Sequence, residues 1–196
     1  MDLNRKRMNA GITAEGNRSE LSAGSTVTLE ITAYGSEGQG IARHNGMAVF
    51  VPGAICGETV EAEIKKAAPS FAEAKLQKIL RPSAERVIPP CPHYAECGGC
   101  DILHMSYAEQ LRMKRETVRS AMERIGGFRG IEILPCIGAD KPEHYRNKAV
   151  FQFANAEKTN KKNLRQVLSG YYEQKSHKLV PVETCMIQNE EAMTAK

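Results

Sequence analysis

Apolar and polar side chains begin to alternate near Gly24. Val27, Leu29 and Ile31 interleave with Thr26, Thr28, Glu30 and Thr32, the period of two that half-buries a strand. Gly35 to Gly40 holds three glycines and reads as a flexible loop. Ile41–Arg43 and Met47–Val51 then flank Asn45-Gly46. That dipeptide predicts a tight hairpin turn, because both central positions need positive φ. Pro52-Gly53 ends the strand. Val60, Ala62 and Ile64 alternate again, and after the break at Pro69-Ser70 so do Ala72, Ala74 and Leu76. Five short strands in quick succession predict a small, closed, five-stranded OB-like β barrel.

Arg81-Pro82 through Pro89-Pro90 carries three prolines and reads as an inter-domain connector. Beyond it the period changes. Ser106 followed by Glu109 is a capping-box pattern, and Leu111, Val118, Met122 and Ile125 recur at helical intervals before Gly126-Gly127. These signals predict a helix of about 19 residues. Ala149, Phe151 and Phe153, then Val167 to Tyr172, read as strands around a polar turn at Glu157 to Asn163. The second half is therefore expected to be α+β. The expected division is a disordered arm over 1–22, the barrel over 23–81, a linker over 82–90 and an α+β domain over 91–196. The arm carries Arg5-Lys6-Arg7, which either brushes nucleic acid or has no consequence.

Composition narrows the function class only modestly. The net charge of +4 from 27 basic and 23 acidic residues permits an anionic partner without requiring one. No apolar run reaches the roughly 18 residues of a membrane span, and the N-terminus lacks a secretory core, so a cytoplasmic protein is expected.

The six cysteines change the picture. In a reducing compartment they are not expected to form a disulfide framework. Cys91, Cys97 and Cys100 form C-x5-C-x2-C inside CPHYAECGGC, where Gly98-Gly99 lets the backbone fold around a ligand, and Cys185 follows far downstream. Four thiolates suit either a tetrahedral zinc ion or a [4Fe–4S] cluster. Three local ligands and one remote one fit a cubane better than two paired knuckles would, although His93 and His104 are possible zinc ligands. Ligation would tie Cys185 to the linker across a long loop, making the metal part of the fold. Cys56 and Cys136 are expected to be free thiols.

These residues resemble the ribosomal-RNA branch of the SAM-dependent RNA uracil-5 methyltransferases. VTLEITAYGSEGQGIARHNGMAVFVPGAICGETVEAEI is similar to a TRAM domain, and CPHYAECGGCDILHMSYAEQLRMK resembles the family's cluster motif. YRNKAVFQ and SGYYEQKSHKLVPVETC look like the start of its central domain. The resemblance implies that Cys91, Cys97, Cys100 and Cys185 hold a [4Fe–4S] cluster, and that Arg146 and Lys148, with Asn147, lie where the central domain meets RNA. It also implies a partner, 23S rRNA, and an activity in which a cysteine thiolate adds to carbon 6 of uracil before carbon 5 takes the SAM methyl.

The family's SAM-binding Rossmann-like domain, nucleophile and general base match nothing before Lys196. S-adenosylmethionine would enter only through that missing domain, supplied in trans or lost. The chain alone is expected to be inactive, with no catalytic residue of its own. A truncated gene product, half of a split gene and a fragment all remain open.

Arg43, Lys65, Lys66, Lys75 and Lys78 accompany Tyr34, Phe50 and Phe71 in the barrel, the cation and ring mixture that single-stranded RNA uses. Arg112, Arg115 and Arg119 share a helix face and either grip phosphate or pair with Glu116 and Glu123. Lys158, Lys161, Lys162 and Arg165 form a basic loop. The alternative reading is a stand-alone RNA-binding protein with a structural metal. A radical-SAM methylthiotransferase fragment is disfavoured, because it needs C-x3-C-x2-C and places TRAM last.

Overall fold

The computed structural model describes residues 21–155 and 167–194. The expected basic loop at 158–165 and nearly all of the expected arm at 1–22 lie outside those residues. Five strands form a closed barrel in the order β1-β2-β3-β5-β4: β1 (Thr26–Tyr34), β2 (Gly40–His44), β3 (Met47–Val51), β4 (Thr59–Ala67) and β5 (Phe71–Arg81). Leu29, Ile31, Val49, Val51, Val60 and Ile64 fill the interior, and Ala42, Ala62, Ala72 and Ala74 keep its walls close together. The Asn45-Gly46 turn has φ of 48° and 82°, as its sequence requires. Antiparallel pairs join all neighbours except β3 and β5, which are parallel.

The segment after β5 is pinned to the barrel. Glu58 is fully buried and accepts from Ile55 N (2.9 Å), Ser83 N (3.3 Å), and Arg86 Nε (2.6 Å) and Nη2 (2.8 Å). The same guanidinium donates to Gly53 O at 2.7 Å. Burial pushes the Glu58 carboxyl up, but Arg86 and the two backbone donors hold it below the ordinary carboxylate range. A paired, fully hydrogen-bonded carboxylate is the form in which such a charge can stay buried.

Helix α1 (Tyr107–Arg124) starts where the capping pattern predicts, and Glu109 N donates to Ser106 Oγ at 3.1 Å. Only half of the capping box forms. Ser106 N donates to Glu85 O at 2.8 Å, which leaves the Glu109 side chain free to turn toward the barrel. There Glu109, 2% exposed, accepts from the Tyr34 hydroxyl and from Arg112 Nε (2.6 Å) and Nη2 (2.5 Å). Met113 packs with Ile55 and Met105 beside it. The buried line of the helix is thus Glu109–Met113, whereas Val118 and Ile125, expected on the apolar stripe, face solvent.

A three-stranded antiparallel sheet in the order β6-β7-β8 follows: β6 (Gln152–Asn155), β7 (Val167–Tyr172) and β8 (Leu179–Pro181). A short α2 (Glu190–Thr194) comes last. No described helix is long and apolar enough to cross a membrane.

Candidate metal centre and adjoining cleft

Backbone contacts bring the two cysteine segments together. Gly98 N donates to Tyr172 O at 2.9 Å, and Cys97 bridges to Glu173 at the end of β7. A Cβ on Gly98 would lie 2.9 Å from both Tyr172 O and Gln174 N, so only glycine fits this approach. On the far side, Arg146 N donates to Ile187 O and Asn189 N to Arg146 O, both at 2.9 Å, which fixes the segment after Cys185.

Cys91, Cys97, Cys100 and Cys185 consequently line one pocket, with Leu103, Tyr171, Val182 and Met186 among its apolar walls. The cavity is about 20 Å³, room for a single water. All four thiols are reduced and half-buried. Burial pushes the Cys100 thiol up to about 11, assisted by the neighbouring Cys185, Cys97 and Cys91; the Arg146 guanidinium, which also lines the pocket, pulls weakly the other way. Burial raises Cys97 too, with Cys91 and Cys185 adding to it against the Gly99 N–H that points at its sulfur. Cys97 and Cys100, whose ionisation burial and the neighbouring thiols oppose, need a positive counter-charge to become thiolates readily.

Among the described residues no three His, Cys, Asp or Glu side chains stand as the shell of a single ion. Around one zinc, sulfurs lie about 3.8 Å apart. His93 lines the pocket, but His104 does not. His104 is 3% exposed, its Nδ1 is 2.6 Å from the Tyr94 hydroxyl, and its Nε2 has no partner. Burial lowers its pKa to about 4, with Arg86 adding to the effect.

The thiol pocket opens beside a cleft of about 970 Å³, where Phe50, Lys65 and Lys75 of the barrel face Cys97, Cys100 and Asp101. The expected RNA contacts divide. Lys66 Nζ sits 5.8 Å above the Phe71 ring, which meets Phe50 edge to face at 6.0 Å, so a cation and two rings form one platform. Lys65 pairs with Glu63 at 2.6 Å, and Arg43 Nη1 donates to Gly46 O at 3.0 Å. Tyr34 is no stacking ring, because Glu109 and the Cys56 N–H hold its hydroxyl. Lys148 is exposed, and Arg146, half-buried, lines the thiol pocket. On α1 the arginines pair internally: Arg112 with Glu109, Arg119 with Glu116, and Arg115 with Ile133 O. No sequence signal reported the Glu58–Arg86 pair or the placement of Arg146.

Residues 20–76 match the TRAM domain family model. The chain is 42% identical over 168 residues to a protein of Clostridium tetani named an uncharacterized RNA methyltransferase, a match that covers 86% of this chain and 35% of that protein. A protein of the same description from Halalkalibacterium halodurans is 40% identical over 181 residues, covering 91% of this chain and 38% of the relative. Among solved structures, the Pyrococcus abyssi tRNA (uracil-54, C5)-methyltransferase in complex with S-adenosyl-L-homocysteine superposes with a TM-score of 0.50 at 23% identity. That likeness covers 86% of this chain and 34% of the archaeal one, and it shows the fold alone. The chain therefore carries a TRAM domain and, over most of its own length, is homologous to proteins named RNA methyltransferases, spanning about a third of their length.

Proposed function

We propose that the chain is the RNA-handling and cluster-binding part of a SAM-dependent RNA uracil-5 methyltransferase acting on 23S rRNA. Its domains are 23–81, the linker 82–90, and 91–196. The observation that carries this reading is the meeting of Cys91, Cys97, Cys100 and Cys185 in one apolar pocket beside the barrel cleft. The donor chemistry fits a [4Fe–4S] cluster: four thiols line one pocket, with a guanidinium nearby to offset negative charge. When bound, such a group supplies the positive charge that lets all four thiols ionise and cross-links the linker to the segment after β8. With all four corners held by cysteine the cluster would have no open position for substrate, so its role in this reading is structural or RNA-orienting.

RNA binding draws on the TRAM match, the relatives' names and the Phe50, Phe71 and Lys66 platform. Rings with a flanking cation stack unpaired bases, at about 1–3 kcal/mol per base. The target is ribosomal in this reading because a TRAM barrel and a four-cysteine motif occur together. S-adenosylmethionine and the nucleophile belong to the portion of the relatives that this chain does not span.

The test measures binding of single-stranded 23S rRNA segments and of tRNA across a salt series. Affinity for rRNA is expected to fall steeply with salt, to exceed that for tRNA, and to drop about tenfold in Phe71→Ala. A flat salt response would refute RNA binding, and equal or stronger tRNA binding would refute the ribosomal target.

A further inference from the structure

Past Arg124 the chain doubles back along α1. Phe128 N donates to Met122 O at 3.1 Å, Arg115 Nε to Ile133 O at 2.7 Å, and Ala139 N to the Tyr107 hydroxyl at 2.7 Å. Residues 128–139 therefore run antiparallel to the helix, covering roughly 22 Å of its axis. Exposure alternates from Ile131 to Leu134, with Ile131 and Ile133 half-buried and Glu132 and Leu134 exposed; Pro135, which has no N–H, interrupts the alternation, and beyond it Cys136 is half-buried and Ile137 exposed. From Ile131 to Ile137 no backbone group pairs with another backbone group among the described residues. Leu134 and Ile137 are 70% and 95% exposed, and Ile125 at the helix end is 88% exposed.

An unpaired backbone edged with outward apolar side chains is the feature that strand addition uses. Main-chain hydrogen bonds supply affinity, and pockets for alternate side chains supply specificity. Bare, such an edge invites unwanted pairing. No Lys or Arg occurs between Gly130 and Asp140, so the strap offers nothing to an RNA phosphate. The proteins that share this stretch carry it as only 35% of their length, which leaves a large remainder to lie against it.

We propose that the strap over 131–137, with Ile125 beside it, is the docking edge for the remaining portion of such a methyltransferase, which adds a strand along it and seats apolar side chains on Leu134 and Ile137. The inference rests on the reading of the chain as part of a methyltransferase.

In the test, the chain is titrated with the portion of the Clostridium tetani relative outside its 168-residue match, made as a separate polypeptide, and hydrogen exchange is followed over 131–137. A complex should form, with strap exchange slowed about tenfold. The double variant Leu134→Asp, Ile137→Asp should lose about tenfold in affinity with unchanged melting, since both side chains are exposed in the free chain. The intact Clostridium tetani protein gives a second reading that does not need its remainder to fold alone. Exchange in its segment aligned with 131–137 should be about tenfold slower than in this chain. Equal exchange in the two proteins, a complex that leaves the strap unprotected, or protection by self-association of this chain would overturn the proposal. Missing iron or missing RNA affinity would instead overturn the reading beneath it, leaving strap protection as measured.

Discussion

The barrel and the region after it are held by different means. The barrel closes on itself, so it has no open edge, and Leu80 is the one large hydrophobic side chain exposed in its strands among the described residues. The later region is an open three-stranded sheet and a strap, with Ile125, Leu134, Ile137, Val150, Phe153 and Val167 all more than half exposed. Its buried apolar residues among those described are few: Met105, Met113, Val180, Val182 and Ile187. A closed barrel is stabilised by its own core, whereas an open sheet of three strands needs help from outside that core. We propose that the thiol pocket and the strap are two places where this chain receives it.

The largest expected effect breaks that contrast directly. Cys185→Ser removes the remote thiol, so bound iron should be lost, and amides in β7 and β8 should exchange at rates close to those of an open chain. Amides of Ile31, Val49 and Val60 in the barrel should keep their protection; hydrogen exchange read residue by residue checks both. Barrel amides that loosen together with the sheet would show one cooperative unit instead of two.

Next in size is Glu58→Ala, which leaves the Arg86 guanidinium half-buried without its carboxylate. A loss of about 3–5 kcal/mol is expected in urea unfolding, felt by both regions because the pair joins them.

Acid should then separate the regions by pH. His104 is buried neutral, with its folded pKa lowered from 6.5 to about 4. Its contribution is fully present above pH 6.5 and is lost as pH falls toward 4, on the order of 2–3 kcal/mol. Glu58 is also held low, so its contribution persists below its ordinary value of 4.5 and fades only under more acidic conditions. Thermal melts between pH 7 and pH 4 should drop for the native chain and stay flatter for His104→Gln.

The smallest effect belongs to the barrel surface. Lys65→Ala breaks an exposed pair with Glu63 and should leave the melting temperature essentially unchanged.

The barrel was legible in the sequence because its signals are local: period-two alternation, Asn-Gly at the hairpin and Pro-Gly at a strand end. The meeting of the cysteines was legible for a different reason, since three thiols on ten residues have few uses beyond ligation. The helix was predicted in place, but of its apolar stripe Leu111 and Met122 are only half-buried and Val118 and Ile125 face solvent. Apolar periodicity pointed to Val118 and Ile125, while the structure buries Glu109, whose partners Tyr34 and Arg112 satisfy its charge. A buried carboxylate has no periodic signature. The resemblance placed Arg146 where the central domain meets RNA; its position beside the thiols was not legible, because it follows from backbone pairing with 187–189, a long-range contact.

The central claim, a four-cysteine cluster site, is tested most directly by iron and acid-labile sulfide analysis of anaerobically purified protein. The expected result is a brown protein with about four iron and four sulfide per chain, lost in Cys100→Ser. A colourless protein carrying one zinc, or no metal at all, would contradict it.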